Sequence, residues 1–133
     1  MALTFKIETQ PGYLWMVYEG LYEPSLAGKF TDQILATCKS HQPRKLLIDL
    51  LKVEGKMTTM DRFNLSVMAA AKYFGAVFTK KIPSCRYAIV GNHPLVDPNK
   101  FEETVAVNQG INVRVFTEMK EALAWLEAEK PGK

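Results

Sequence analysis

Residues 45–50 (KLLIDL) form a nearly continuous apolar run that Asp49 interrupts. A strand with apolar side chains on both faces is typical of the centre of a mostly parallel sheet, because helices then cover it on both sides. The run therefore predicts a buried central strand. It also predicts an α/β fold, in which the rest of the chain supplies the covering helices.

The segments on either side of this strand alternate between strand and helix patterns. Pro11-Gly12 lies between two strand-like segments and predicts the turn of an antiparallel hairpin. Alternating or continuous apolar character predicts the other strands, which places strands at 4–9, 13–19, 86–90 and 111–116. Helical periodicity and terminal signals predict four helices, over residues 24–40, 58–74, 98–109 and 117–128. The order β-β-α-β-α-β-α-β-α predicts a mixed sheet of about five strands, since β-α alternation favours parallel crossovers.

Length and composition fit one globular domain over residues 1–133, with 47% hydrophobic and 23% charged residues. The net charge of +3 is small and its basic residues are scattered, which argues against a nucleic-acid partner. No apolar run is long enough for a membrane span or a signal peptide, so a cytoplasmic location is expected. Cys38 and Cys85 are expected to be buried small hydrophobes.

The sequence contains no recognisable set of catalytic residues. Its only plausible acids or bases are Asp49, Glu54 and His93, and none stands in a nucleophile, zinc or phosphate-binding motif. No enzyme activity, metal or cofactor is therefore expected. Asp49 is expected to accept backbone hydrogen bonds at the end of its strand, with a cation site or a base as the alternative. Glu54 is interpreted as a loop or interface residue, and Gly55 as a position of positive φ or close backbone approach.

The start of the second predicted helix is the most informative loop. Thr58 with Asp61 resembles a capping box, so the favoured role of Thr58 or Thr59 is a helix cap. A phosphate on either threonine would also be stabilised there, by the helix N-terminus and by Lys56 and Arg62.

Apolar residues recur along the second helix, at Phe63, Val67, Ala71 and Phe74, with Met57, Met60, Met68 and Phe78 nearby. Core packing is the default interpretation of such a pattern, and an adaptable apolar groove is the alternative. Exposed apolar residues are expected on this helix or on the opening hairpin, whose second strand is apolar on both faces. Cover by a second chain would give a symmetric homodimer.

The order of these elements and several short motifs resemble a known fold. The motifs are Leu47-Ile48-Asp49, Val53-Glu54-Gly55, Asp61-Arg62-Phe63, Asn108-Gln109-Gly110, Val115-Phe116 and residues 121–126 (EALAWL). In their order and spacing they are similar to the STAS fold of anti-sigma-factor antagonists, and in particular to the bacterial SpoIIAA-like proteins. The resemblance covers nearly the whole chain.

The resemblance implies a regulatory module rather than an enzyme. In regulatory STAS proteins, a kinase phosphorylates a serine or threonine at the start of the second helix and so controls binding to an anti-sigma factor. The matching positions are Thr58 and Thr59, although residues 56–61 (KMTTMD) replace the usual Asp-Ser-Ser/Thr-Gly motif. The fold is also similar to CRAL-TRIO lipid-binding domains. The leading hypothesis is a protein partner or second copy docking on residues 51–63 and the second helix; the alternative is a small apolar or anionic ligand between that helix and the sheet.

Overall fold

The sheet is built around the strand that contains residues 45–50. The structure is a computed structural model that describes residues 2–79, 85–96 and 112–127. The described strands are β1 (Thr4–Gln10), β2 (Tyr13–Leu21), β3 (Lys45–Glu54), β4 (Arg86–Gly91) and β5 (Val113–Phe116). They pair in the order β1-β2-β3-β4-β5, with β1 antiparallel to β2 and every other neighbouring pair parallel. The predicted mixed sheet of five strands with residues 45–50 at its centre is confirmed.

Helices cover both faces of this sheet. A single 3₁₀ turn, Pro24–Leu26, leads into the first of the described helices, which are α1 (Ala27–His41), α2 (Thr59–Phe78) and α3 (Met119–Glu127). The helix predicted over 98–109 lies outside the described residues. On one face, Leu46 and Ile48 of β3 pack with α1 and α2. On the other, Leu47 packs with Ala122 and Leu126 of α3. This alternation is the period of a strand covered on both sides.

Several element boundaries differ from the sequence predictions, and three of these differences show where the pairing and packing continue or begin. β3 continues to Glu54, because residues beyond position 50 still pair with β2 after a shift in register, with Val53 opposite Gly20. α2 continues through Gly75, the predicted stop, because Ala76 and the partly buried Val77 extend its core contacts. α3 begins at Met119 rather than Thr117, and the Glu118 carbonyl accepts its first helical hydrogen bond, from Ala122 N.

The second strand of the hairpin is covered mainly by its own chain. Met16 and Tyr18 are fully buried on the α1 and α2 face. Tyr13 and Trp15 are partly buried against the α3 side of the sheet. The two apolar faces of β2 therefore reflect the two helical layers, and they do not require a second chain.

Candidate functional site

The start of α2 is fixed by a reciprocal pair of hydrogen bonds. Asp61 N donates to Thr58 Oγ1 at 3.0 Å, and Thr58 N donates to Asp61 Oδ2 at 2.9 Å. The predicted capping box is therefore present, with Asp in place of the usual Glu. Thr58 is the N-cap, and Thr59 is the first, exposed residue of the helix. Phosphorylation of either threonine stays a prediction.

The turn before this cap is held by a backbone contact to the end of β2. Tyr22 N donates to the Glu54 carbonyl at 2.8 Å, while the Glu54 side chain is exposed. Gly55 follows with φ +138°, and a Cβ there would lie 2.5 Å from the Tyr22 carbonyl oxygen. Both features expected of Gly55 are present, the positive φ and the close backbone approach. The chain from β3 to α2 is thus a tight, defined turn.

Arg62 is used for structure within this region. Its side chain is buried, and Nη2 donates to the Pro94 carbonyl at 2.7 Å and to the Leu95 carbonyl at 3.4 Å. The guanidinium therefore ties α2 to the loop after β4. In this arrangement the guanidinium is directed to those carbonyls and Lys56 is exposed, and a role for the two side chains in stabilising a phosphate stays a prediction.

Asp49 does not join the residues at the start of α2. Its carboxylate is buried and accepts two hydrogen bonds, from Trp15 Nε1 to Oδ2 at 3.1 Å and from Leu51 N to Oδ1 at 3.0 Å. Trp15 packs on the α3 side of the sheet, whereas Arg62 and Phe63 belong to α2 on the other face. Asp49 thus accepts the backbone bond expected of it. In the described part of the chain, no three His, Cys, Asp or Glu side chains form a group that could hold a metal ion.

α2 exposes a long apolar stripe that begins two residues after its cap. We call the α2 stripe the set of exposed apolar side chains Met60, Phe63, Val67, Ala71, Phe74 and Phe78. Their spacing of three and four residues places them on one face of the helix. Phe78 is 88% exposed and Met60 is 63% exposed. Exposed apolar residues on the second helix were expected, and this expectation is confirmed.

The default assignment to the core is wrong for Met60, Phe63, Phe74 and Phe78, whereas Met57 does pack against the core. The buried face of α2 consists of smaller or polar residues together with one tyrosine, namely Arg62, Ser66, Ala70, Tyr73 and Ala76. Small side chains let the helix lie close to the sheet and to α1, where Lys72 Nζ also contacts Asp32 Oδ1 at 2.6 Å. The spacing of Ser66, Ala70 and Ala76 was the available signal for the inner face. This spacing was difficult to recognise as the buried face, because the larger apolar residues lie on the opposite face of the helix.

An apolar cavity of about 120 Å³ lies between α1, α2 and the sheet. Its walls come from both helices and from three strands, and include Ile34, Leu35, Leu65, Ala69, Tyr73 and Ile89. A smaller cavity of about 50 Å³ shares Phe30 and Leu65 with it and is bordered by Tyr22 and Met57. Among the described residues, the core beneath α2 therefore leaves unfilled space with apolar walls.

Two cysteines distant in sequence meet in the core. Cys38 and Cys85 are both buried and both are free thiols. Cys38 Sγ lies 3.8 Å from the Tyr87 hydroxyl, and burial raises the pKa of that tyrosine. The hydrogen bond with Cys38, together with burial, raises the pKa of the Cys85 thiol. The expectation that both cysteines are buried is confirmed, but their juxtaposition could not be predicted from sequence because it depends on how α1 packs beside β4.

Comparison of sequences identifies no relative: no family model and no curated protein matches the chain. Comparison of structures finds chains with a similar fold. The crystal structure of an anti-sigma factor antagonist from Mycobacterium paratuberculosis matches with a TM-score of 0.61 and 17% identity, covering 96% of each chain. An uncharacterised protein of the DUF3478 family with a SpoIIAA-like fold, from Shewanella loihica, matches with a TM-score of 0.49 and 18% identity over 93% of each chain.

These matches concern the fold, because identities near 17% do not transfer a function. In the described part of the chain, no helix combines the length and hydropathy that crossing a membrane requires. The structural match covers 96% of this chain and of the mycobacterial protein. It therefore includes the central strand β3 and the capped helix α2 that follows it. The resemblance inferred from the sequence is thus confirmed at the level of structure, and the chain has the STAS, or SpoIIAA-like, fold.

Proposed function

We propose that this chain is a non-enzymatic regulatory module of the cytoplasm, folded as one domain over residues 1–133, that binds a protein partner through the α2 stripe and the start of α2. The observation that supports the proposal is the stripe itself. Six apolar side chains are exposed along one face of α2, where packing within the chain does not require them. Contiguous exposed apolar surface is typical of protein interaction sites.

The fold supports the same proposal. The similar mycobacterial structure is that of an anti-sigma factor antagonist, which supports a regulatory role for a chain of this fold. In the present chain, Thr58 and Thr59 lie at the end of α2 where the stripe begins. A phosphate there would change the charge beside the apolar surface, which would make the contact with the partner controllable.

The candidate acids and bases support a binding role over catalysis. Asp49 is buried and hydrogen-bonded to Trp15, and Glu54 and His93 are exposed on separate segments. General acid–base chemistry needs such groups to converge on one reacting position.

The test compares two exposed apolar positions, one in the stripe and one outside it. Partners would be captured from the native cell, purified, and titrated against wild type, Phe74→Ser and Leu21→Ser, since Leu21 is exposed to a similar degree but lies on β2. We expect Phe74→Ser to weaken binding at least about tenfold, as loss of an interface aromatic often does. Leu21→Ser should bind as wild type. Equal binding by all three purified proteins would remove the stripe as the docking surface.

The apolar cavity supports a second candidate function, binding of a small apolar ligand between α2 and the sheet. An enclosed apolar cavity of about 150 Å³ in an engineered protein binds benzene, and the cavity here, which is partly open, has a volume of about 120 Å³. Its apolar walls favour an apolar over an anionic ligand. Benzene at several times its Kd should stabilise the wild type by roughly 1 kcal/mol.

The control for this second function fills the cavity. Ala69 lines it, so Ala69→Leu should abolish the rise in Tm with benzene, whereas Ala36→Leu, at an exposed position of α1, should leave it unchanged. A wild-type Tm that benzene does not raise would argue against this function.

A further inference from the structure

A buried hydroxyl without a partner lies in the core near the start of α2. Tyr22 is 5% exposed, and its hydroxyl forms no hydrogen bond with the described residues. Tyr22 also borders the cavity of about 50 Å³, whose other described walls are aliphatic side chains together with Phe30 and Met57. The hydroxyl is therefore the one side-chain oxygen among the described residues that border this cavity. A desolvated hydroxyl lowers stability until a hydrogen-bond partner reaches it.

Contacts on two sides hold Tyr22 in this position. Its backbone N–H donates to the Glu54 carbonyl at 2.8 Å, and Gly55 packs against the Tyr22 carbonyl. The Tyr22 ring meets the ring of Phe30 edge-on, with 5.7 Å between the centroids. These contacts limit how far the phenol can turn towards solvent, so a partner for the hydroxyl has to come to it.

The two apolar cavities adjoin each other. Four side chains line both of them, namely Phe30, Leu65, Ile89 and Val115. The larger cavity, of about 120 Å³, extends from these shared side chains between α1 and α2, where Ala69 is part of its wall. In an engineered protein, a cavity of about 150 Å³ accommodates benzene. The space here therefore suits an apolar body about the size of one ring in the larger cavity, with a short extension towards Tyr22.

A water molecule suits the smaller cavity poorly. A buried water makes about three hydrogen bonds and needs roughly two to four polar partners. The described walls of this cavity offer the Tyr22 hydroxyl and otherwise apolar side chains. An organic molecule needs only one polar contact there, because the rest of its surface packs against those apolar side chains.

The polar end of such a molecule should be a neutral acceptor. Burial, together with the negative charge of Asp61, raises the pKa of the Tyr22 phenol to about 12, so the hydroxyl keeps its proton near neutral pH and can donate a hydrogen bond. The described walls of both cavities contain no Lys, Arg or His side chain that would neutralise a buried anion. An alcohol would bring a further donor into apolar surroundings, whereas a carbonyl oxygen accepts without adding one.

We propose that the two adjoining cavities form one site for a small neutral carbonyl compound, a ketone or an aldehyde, whose apolar body lies in the larger cavity and whose oxygen accepts a hydrogen bond from Tyr22. This inference rests on the second candidate function, since it names the class of ligand for the same apolar space. Tyr22 is the residue that gives the site its chemical selectivity.

The experiment compares two probes of nearly the same shape by isothermal titration calorimetry of the full chain. The probes are acetophenone and α-methylstyrene, in which a methylene group replaces the carbonyl oxygen. Tyr22→Phe should weaken binding of acetophenone at least about fivefold, as loss of one hydrogen bond does, and should change binding of α-methylstyrene by less than about twofold. Acetophenone that does not bind the wild type, or that binds Tyr22→Phe equally well, would overturn the proposal. Equal weakening of both probes would overturn it too, because the effect would then lie in the shape of the cavity.

Tyr18→Phe is the matched control. The Tyr18 hydroxyl is also buried, but it donates to Gln33 and Tyr18 borders neither cavity, so this variant should bind both probes as the wild type does. Ala69→Leu should abolish binding of both probes, whereas Ala36→Leu should not. Retained binding in Ala69→Leu would show that the apolar body does not lie in the larger cavity.

Benzoate tests whether the site selects a neutral ligand. It places a charge where acetophenone has its carbonyl group, and it should bind the wild type at least about tenfold more weakly, because the ionised group loses its hydration without a cation to replace it. Benzoate that binds as tightly as acetophenone would overturn the assignment of a neutral carbonyl compound.

The inference and the function on which it rests fail in different ways. If benzene raises the Tm of the wild type but acetophenone binding does not depend on Tyr22, the carbonyl site is wrong and the second candidate function stands. If neither benzene nor the two probes bind, the second candidate function fails together with the inference. The effect of Phe74→Ser on a protein partner is measured separately and is independent of both results.

Discussion

The indole of Trp15 donates a hydrogen bond to the buried carboxylate of Asp49 across the parallel strands β2 and β3. The distance from Trp15 Nε1 to Asp49 Oδ2 is 3.1 Å, and the other carboxylate oxygen accepts Leu51 N at 3.0 Å. A buried carboxylate is stable in a sheet only when such partners replace its lost hydration. Asp49 is therefore a structural hydrogen-bond acceptor that joins strands β2 and β3.

This relationship predicts that removing Asp49 will destabilise the fold. Asp49→Ala should lower the free energy of unfolding by about 3 kcal/mol, because it leaves the Trp15 and Leu51 donors without their acceptor. Trp15→Phe should also destabilise the protein, by depriving the carboxylate of a donor. Urea unfolding of the two single variants and of the double variant forms a double-mutant cycle. We expect a coupling free energy between Trp15 and Asp49 of about 1 kcal/mol or more. Additive losses would show that the bond contributes nothing to stability.

The capping box predicts different consequences for the adjacent threonines. Thr58→Ala removes the oxygen that accepts Asp61 N and should lower the free energy of unfolding by about 1 kcal/mol. Thr59→Ala should change it by less than about 0.5 kcal/mol, since Thr59 is exposed and outside the box. Thermal and urea unfolding measure both effects. Equal losses would contradict the assignment of Thr58 as the cap.

Substitution of Gly55 should combine backbone strain with a steric clash, whereas substitution of Gly12 should introduce the strain alone. Gly55→Ala should destabilise by about 3 kcal/mol or more, since it combines a positive φ with a contact to the Tyr22 carbonyl oxygen. Gly12 has φ +86° but open space around its Cβ position, so Gly12→Ala should cost only about 1 kcal/mol, the strain term. Urea unfolding would measure both. Similar losses would mean that the Tyr22 contact is relieved by movement of the turn.

The sheet and the helix cap could be predicted from sequence because local patterns determine them. Apolar character on both faces distinguishes residues 45–50 as a central strand, and Thr58 with Asp61 signals a helix start within four residues. The extension of β3 to Glu54 was missed, because the shift in register against β2 depends on pairing between distant segments.

The candidate site was predicted less completely because it depends on which way side chains point. Helical spacing identified α2 but could not decide which of its two apolar faces is buried, and the larger residues proved to be exposed. Arg62 was expected near a phosphate, whereas its partners Pro94 and Leu95 come from a loop that only tertiary packing brings close. Asp49 is hydrogen-bonded to Trp15 on the α3 side of the sheet, whereas Arg62 belongs to α2 on the other face.

Two buried tyrosines predict opposite effects of the same substitution. The Tyr22 hydroxyl is buried and has no hydrogen-bond partner among the described residues, whereas the Tyr18 hydroxyl donates to Gln33 Oε1 at 3.1 Å. Tyr22→Phe should therefore stabilise the protein by about 1 kcal/mol, because it removes a desolvated group without a partner. Tyr18→Phe should destabilise it by about 1 kcal/mol. Thermal unfolding measures both, and a destabilised Tyr22→Phe would indicate that a bound water or ligand atom satisfies the hydroxyl.

Tyr22 also predicts how stability changes at alkaline pH. Burial, assisted by the negative charge of Asp61, raises its pKa to about 12 in the folded protein, against about 10 in an unfolded chain. The unfolded state thus loses its proton first. The contribution of Tyr22 to stability is fully present below pH 10 and is lost as the pH rises through 12. Urea unfolding between about pH 9 and pH 12 should show a steeper fall for wild type than for Tyr22→Phe, with the other tyrosines contributing equally to both. Parallel curves would mean that the Tyr22 phenol ionises alike in the folded and unfolded states, and that burial beneath α2 does not hold it neutral.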